Sequence, residues 1–276
     1  MRTVYLAFPR MTISLTAGEE VLEKAFVFYP FSQSEGKPLF VTHAYRVERE
    51  EQKWVVTKDG EVLDSRASAW EAVFVLEYDI ELSILEQRGD WLAIHAGCVA
   101  VADGACLVAG NPDSGKTTTT FHLVELGWKF MCEEIAFIDS EKKEVHPFLQ
   151  TLSLDKRFID AVKGKFPVRR GKVHELNPSL VRYSPELIRE EPLRLSTILV
   201  PKREPEAEGE AEAVSLSPGA FLTEFLGYCF EPREGMEDLV DRVIGVLEDC
   251  RIYRIVYRDI SDCRRILIRL FPSASA

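Results

Sequence analysis

The feature that most constrains the fold is an octapeptide at residues 110–117, Gly-Asn-Pro-Asp-Ser-Gly-Lys-Thr. It matches the phosphate-binding pattern G-x-x-x-x-G-K-[ST] at every fixed position. In such a loop the glycines allow tight turns that aim backbone N–H groups at an anion. The lysine reaches the terminal phosphates, and the hydroxyl of the last residue binds Mg²⁺. The residues expected to hold a nucleotide are Gly110, Asn111, Asp113, Ser114, Gly115, Lys116, Thr117 and Thr118.

The segments around this loop have the order that the motif requires. Residues 105–109 form a short apolar run that is typical of a buried strand. Residues 118–126 carry apolar side chains at helical spacing and are followed by Gly127, a suitable residue for ending a helix. Strand, glycine loop and helix in this order predict an α/β domain with a P-loop nucleotide-binding site.

The first 90 residues show a different pattern. Apolar runs at residues 4–8, 25–29 and 54–57 predict strands, and a turn signal at residues 58–61 predicts a hairpin. From residue 68 to residue 87 the apolar period becomes that of one or two helices with a buried face. We therefore expect an N-terminal β-rich α+β portion over residues 1–90 and a P-loop domain over residues 91–276.

Polar residues that interrupt apolar runs are further site candidates. His95 lies in the run that precedes the P-loop strand and is either a core histidine or a site histidine. Glu133 and Glu134 lie in a run at residues 127–139 that predicts a strand. Buried carboxylates are costly unless paired or metal-bound, and in P-loop proteins they serve Mg²⁺ and the nucleophile. Strand alternation would let at most one face the loop directly, and the other could point to solvent.

Composition argues against several classes of protein. The formal net charge of −11 argues against nucleic acid or an anionic membrane as a partner. No apolar run approaches the ~18 residues of a transmembrane helix, and the N-terminus is too interrupted for a signal peptide. The 6 cysteines form no C-x-x-C pair, so no zinc site is expected. Together these features predict a cytoplasmic protein.

Several of these stretches together resemble the HPr kinase/phosphorylase-like family, in particular the shorter HprK-related proteins of bacteria. The similarity covers residues 90–260 and follows a fixed order: His95-Ala96-Gly97, the P-loop, Gly127-Trp128, and the acidic pair. The resemblance implies an HPr kinase-like P-loop domain that binds ATP and Mg²⁺. It also implies phosphoryl transfer to a hydroxyl, often that of a serine in a protein or peptide, and it is compatible with a homo-oligomer.

The resemblance also implies roles for individual residues. Glu133 stands where the family has its general-base aspartate, and Glu134 where it has a second, metal-associated acid. His95 matches the family's site histidine. The expected catalytic residues are therefore Glu133, His95 and Lys116, and the expected metal ligands are Thr117 and Glu134.

Three functions stay open at this level. The first is a Mg²⁺- and ATP-dependent kinase that acts on a hydroxyl of a protein, peptide or small molecule. The second is a nucleotide-binding regulatory protein with weak or no catalysis. Pro112, which removes one N–H donor from the loop, and the glutamate at position 133 favour this alternative. The third is a plain NTPase. No base-reading motif is visible, so ATP, GTP and pyrophosphate all remain candidate donors.

Overall fold

The computed structural model describes residues 1–34, 36–206, 210–230 and 236–272, and it shows a mixed α/β protein. The chain divides into two compact units, Met1–Gly89 with Leu149–Thr151, and Asp90–Phe148 with Leu152–Ala276. The predicted division at residue 90 assigned the segment Leu149–Thr151 to the second portion. In the structure this segment belongs to the first unit, where the Thr151 N–H donates to the carbonyl of Phe28 at 2.9 Å.

Within the described part of the first unit, five strands form one sheet in the order β1-β2-β3-β4-β5. The strands β2 and β3 are parallel, and the other neighbours are antiparallel. The predicted hairpin turn is present, with positive φ angles at Asp59 and Gly60. The elements are β1 (Arg2–Phe8), β2 (Met11–Ala17), α1 (Glu19–Phe28), β3 (His43–Glu50), β4 (Lys53–Lys58), β5 (Glu61–Arg66) and α2 (Ala69–Gln87).

The prediction of a strand at residues 25–29 is wrong, because α1 covers this run as far as Phe28. The helix starts after Gly18 and carries acidic residues in its first turn, where the helix dipole favours negative charge. Its buried residues recur at helical spacing, but the continuous apolar run at its end hides that period. These buried residues are Val21, Leu22, Ala25 and Phe28.

Helix α2 is one continuous helix, which settles the choice between one and two helices for this segment. A capping box forms its N-terminus. The Ser68 hydroxyl accepts from the N–H of Glu71 at 3.2 Å, and the Glu71 carboxylate accepts from the N–H of Ser68 at 2.9 Å. These two bonds satisfy N–H groups that would otherwise have no partner in the first turn.

The second unit contains a large sheet and a small sheet of order β12-β14-β13. None of the helices in the described part of the chain is long and apolar enough to cross a bilayer. The strands are β6 (Leu92–Ile94), β7 (Ala96–Val101), β8 (Gly104–Ala109), β9 (Lys129–Cys132), β10 (Ala136–Asp139), β11 (Glu144–His146), β12 (Leu152–Asp155), β13 (Gly171–Glu175), β14 (Leu180–Pro185), β15 (Leu193–Arg203), β16 (Glu212–Leu216) and β17 (Arg251–Tyr257). The helices are α3 (Lys116–Glu125), α4 (Lys156–Lys163), α5 (Pro218–Leu226), α6 (Met236–Leu247) and α7 (Ile260–Leu270).

Four strands of the large sheet end at the same edge. The strand β15 is parallel to both β8 and β17. Both β8 and β9 are antiparallel to β7, so they run in the same direction. The carboxyl ends of β9, β8, β15 and β17 therefore point to this edge in that order, with the antiparallel strand β7 between β9 and β8. In open α/β sheets, ligands bind in the crevice outside these carboxyl ends.

Helix α3 carries a fully buried histidine. His122 is 0% exposed, and neither ring nitrogen has a hydrogen-bond partner among the described residues. The rings of Phe121, Phe158 and Phe166 surround it, with centroids 5.6, 6.1 and 6.3 Å away. Burial, with a smaller contribution from the Arg264 guanidinium, lowers the pKa of His122 to about 3.

We expect His122 to make the folded protein sensitive to acid. The unfolded chain binds a proton at this imidazole below about pH 6.5, whereas the folded chain does not until about pH 3. The free energy of unfolding therefore falls as the pH falls through this window, by about 1.4 kcal/mol per pH unit. In His122→Leu the drop in Tm between about pH 7.5 and about pH 5 should be smaller than in the wild type.

Thermal unfolding followed by circular dichroism measures this difference. The control is His174→Leu, because His174 lies on β13 and is only half-buried. This control should retain most of the wild-type dependence on pH. An unchanged pH dependence in His122→Leu would show that another group causes the acid sensitivity.

Candidate functional site

The glycine loop (residues 110–115) connects β8 to α3 in the predicted order of strand, loop and helix. Two of its residues have backbone angles in the left-handed region, Asp113 with φ 61° and Gly115 with φ 103°. A Cβ atom on Gly115 would also overlap the hydroxyl of Tyr257. Both the backbone conformation and the lack of space therefore require glycine at this position.

Lys116 begins α3 and is 8% exposed. Its ammonium group donates to the carbonyl oxygens of Gly110 at 2.9 Å and Asn111 at 3.1 Å. Burial lowers the pKa of the ammonium, against an opposing effect from the nearby carboxylates, of which that of Glu134 is the largest. Two of its three N–H donors meet the loop, so one remains for an anion held there.

The acidic pair lies between two strands and not within one. The strand β9 ends at Cys132, and β10 begins at Ala136. The prediction that the pair lies inside a strand is therefore wrong, and strand alternation does not separate Glu133 from Glu134. Both carboxylates affect the pKa of the Lys116 ammonium, so both lie close to the loop.

Glu133 is buried against the first turn of α3. It is 3% exposed, and its Oε1 accepts from the Thr117 hydroxyl at 2.5 Å. Its Oε2 is buried and meets no hydrogen-bond donor among the described residues. Burial raises the pKa of this carboxyl well above its usual value, and the neighbouring Glu134 adds to the rise. A hydroxyl and a carboxylate oxygen without a donor are ligands that suit a hard cation such as Mg²⁺.

Glu134 pairs with His95 at 3.2 Å between Oε2 and Nε2, and both side chains are partly exposed, by 39% and 38%. The hydrogen bond from His95 lowers the pKa of the Glu134 carboxyl. The main chain holds the histidine in place, because its N–H donates to the carbonyl of Tyr228 at 2.8 Å. Of the two alternatives for His95, the geometry fits a residue beside the acidic pair and not a core histidine.

Some of the predicted site residues lie close to one another in the structure. Five lie together around the start of α3 through the contacts above, namely Lys116, Thr117, Glu133, Glu134 and His95. In the loop, Asn111 and Asp113 are exposed, whereas Ser114 and Thr118 are half-buried.

Sequence reasoning missed Arg182. This residue lies on β14 and is only 4% exposed. Its guanidinium opposes the rise in the pKa of Glu133, and it adds to the lowering of the pKa of Glu134 that the hydrogen bond from His95 mainly causes, so it lies near the acidic pair. The available signal was an arginine inside the apolar run of β14. No motif connects that strand with the glycine loop.

The arrangement combines two chemical capacities. Loop N–H groups, a lysine and the positive end of the α3 dipole can hold a polyphosphate. The two carboxylates differ in environment, one buried beside a hydroxyl and one partly exposed beside a histidine. Such a pair can divide the tasks of holding a cation and accepting a proton.

Comparison with known proteins adds little to this geometry. No protein-family model matches the chain, and no curated protein matches it. Among solved structures, the chain is similar to the Hpr(Ser) kinase/phosphatase from Coxiella burnetii. The match has 10% sequence identity, covers 60% of this chain and 85% of that chain, and has a TM-score of 0.27. Similarity at this level does not establish a correspondence between individual residues.

Gly115→Ala is expected to destabilise the protein by about 1–3 kcal/mol, because alanine strains the left-handed backbone and overlaps Tyr257. The same strain should displace the loop and abolish the ATP binding that the sequence predicts for it. Thermal unfolding and titration calorimetry measure the two effects.

The matched control is Gly245→Ala in α6, where an added Cβ meets nothing within 4 Å. This change should raise stability by up to about 1 kcal/mol, because alanine favours the helix. Native stability together with native ATP binding in Gly115→Ala would contradict the constraint inferred for the loop.

Proposed function

We propose that this chain is a Mg²⁺- and ATP-dependent phosphotransferase that phosphorylates a hydroxyl group. The observation that carries the proposal is the hydrogen bond between the Thr117 hydroxyl and Glu133 beside the glycine loop. In P-loop enzymes the hydroxyl at this position holds Mg²⁺ together with an acidic residue from a neighbouring strand. The resemblance of residues 90–260 to the HPr kinase/phosphorylase-like family supports the same reading.

In this proposal the loop and α3 bind the triphosphate. The backbone N–H groups of the glycine loop and the Lys116 ammonium contact the phosphate oxygens, and the α3 dipole favours their negative charge. Thr117 and Glu133 would hold Mg²⁺, which would supply positive charge beside the phosphates. The resemblance implied that Glu134 holds the metal. The contact with Thr117 favours Glu133 for this role, so the proposal exchanges the two assignments.

Glu134 then acts as the general base. It is the more exposed carboxyl of the pair, and its hydrogen bond to His95 favours the ionised form. A base must reach the proton that it removes, which the 3% exposed side chain of Glu133 cannot do as readily. Glu134 would take the proton of the acceptor hydroxyl while the acceptor oxygen bonds to the γ-phosphorus and ADP leaves. His95 orients the Glu134 carboxylate.

The chemical class of the acceptor can be proposed, but not its identity. We propose a hydroxyl on a protein, a peptide or a small molecule, with a peptide serine as the first choice from the resemblance. We also propose a cytoplasmic location, no nucleic-acid partner and a homo-oligomeric state. The net charge of −11 supports the exclusion of nucleic acid.

A nucleotide-binding regulatory protein is the second candidate function. Pro112 favours it, because a proline in the glycine loop removes one N–H donor from the phosphate cradle. ATP binding without ADP formation in the presence of serine peptides would support this candidate over the kinase. ADP formation with water alone as acceptor would instead indicate an NTPase.

Lys116→Ala is expected to abolish Mg²⁺-dependent ATP binding, because it removes the buried ammonium that faces the loop. The measurement is titration calorimetry with ATP, with and without Mg²⁺. The control is Lys129→Ala, which removes an exposed lysine at the start of β9. Undiminished ATP binding in Lys116→Ala would remove the glycine loop from the proposal.

Glu133→Gln and Glu134→Gln are a matched pair that separates the two proposed roles. Glu133→Gln should remove most of the effect of Mg²⁺ on ATP affinity, because the amide is a poorer cation ligand than the carboxylate. Glu134→Gln should keep Mg²⁺-dependent affinity but slow ADP formation about 100-fold or more, because it lacks the base. Calorimetry and an ADP assay with serine peptides test both variants. The opposite result would restore the roles that the resemblance implied.

A further inference from the structure

A cavity of about 620 Å³ lies at the same edge of the large sheet as the glycine loop. Its volume is within the ~300–1,000 Å³ range of small-molecule pockets. It adjoins the site described above through Thr118, and most of its wall comes from α4, from the ends of β15 and β17 and from the start of α7. Its lining includes Thr118, Arg157, Phe158, Lys165, Arg203 and Tyr257.

The strand order places this cavity on the other side of the loop from the acidic pair. The strand β8, which leads into the loop, has β7 and then β9 on one side and β15 and then β17 on the other. Glu133 follows β9. Arg203 and Tyr257 are register partners at the ends of β15 and β17. A ligand that contacts the acidic pair at one end and extends across the loop therefore reaches this cavity with its other end.

The cavity is also in direct contact with the loop and its helix. The hydroxyl of Tyr257 lies so close to Gly115 that it leaves no room for a Cβ atom there. Thr118 contributes the first turn of α3 to the cavity wall. In this motif the loop N–H groups cradle the α- and β-phosphates, so the phosphate that bears a nucleoside would lie next to this turn.

Two cationic groups of the cavity are available to a ligand. The side chains of Arg157 and Arg203 are exposed and form no ion pair with any residue that the structure describes. By contrast, the Lys165 ammonium is paired with the Asp259 carboxylate at 3.3 Å. A guanidinium without a partner can donate to ribose hydroxyls, and its flat face can also stack on a base.

The wall also contains aromatic surface, together with Ala161, Ile260 and two carboxylates, those of Asp155 and Asp259, which cap the N-termini of α4 and α7. Phe158 is half-buried and fixed by edge-to-face packing on Phe121, with ring centroids 5.4 Å apart. The ring of Tyr257 is 2% exposed and forms part of the same wall. Aromatic side chains with a few polar groups around them are typical of pockets that bind small organic ligands.

We infer that this cavity binds the nucleoside half of the phosphoryl donor, with Arg203 and Arg157 on the ribose and Phe158 beside the base. The donor is then a nucleoside triphosphate and not pyrophosphate or another bare polyphosphate. The inference rests on the proposed function, because it takes the reacting end of the donor to face Glu133 and Glu134.

The test compares ATP with tripolyphosphate, which carries the phosphates but no nucleoside. Titration calorimetry in the presence of Mg²⁺ should give the wild type an affinity for ATP at least about tenfold higher than for tripolyphosphate. Arg203→Ala should lower ATP affinity about tenfold, the effect of one lost hydrogen bond to a charged group. Its affinity for tripolyphosphate should change by less than about threefold.

The matched control is Lys202→Ala, which removes the same charge from the same strand. Neighbouring residues of a strand point to opposite faces, and Lys202 is paired with Glu204 at 2.5 Å. It should leave both affinities unchanged. An equal loss of ATP affinity in Lys202→Ala would mean that overall charge, and not a contact in the cavity, causes the effect, and would overturn the inference.

The outcomes separate this inference from the proposed function. Equal wild-type affinities for ATP and tripolyphosphate, both lost in Lys116→Ala, would keep the loop as a phosphate site but overturn the nucleoside pocket. Equal losses of both ligands in Arg203→Ala would do the same. No binding of either ligand by the wild type would overturn the proposed function and this inference together.

Discussion

The burial of Glu133 is the constraint on which the candidate site depends. A carboxyl that is 3% exposed is stable only if neighbouring groups compensate for its lost hydration. The Thr117 hydroxyl supplies one hydrogen bond, and the Arg182 guanidinium supplies favourable charge. Both neighbours must therefore be held firmly. The first turn of α3 holds Thr117, and β14 of the small sheet holds Arg182.

Local sequence was sufficient to predict the glycine loop and its flanking elements. The glycine that its backbone angles require and the side chains expected to bind phosphate lie within the same eight residues. The strand error at residues 25–29 has a physical cause. When the apolar residues of a helix cluster at one end, they form a continuous apolar run that resembles a buried strand over a short window. Burial of one helical face then decides that the segment is a helix. The capping box at Ser68, by contrast, is a local signal and marks the start of α2 correctly.

The acidic pair shows where local reasoning stops. Alternation applies only within a strand, and a break after Cys132 frees Glu133 and Glu134 to approach the same loop. No sequence signal in the neighbouring residues predicts that break. Arg182 lies even further beyond local reasoning, because its place beside the pair depends on how β14 is positioned by the rest of the unit. Contacts between residues distant in the chain decided both cases.

The segment Leu149–Thr151 has a consequence for how the chain can be divided. It belongs to the first unit, yet residues of the second unit precede and follow it. No single cut can therefore release either unit with all its residues. A fragment that starts at Asp90 would keep Thr151 but lose the carbonyl of Phe28 that its N–H meets at 2.9 Å. Any exchange of the N-terminal unit between proteins must carry these three residues with it.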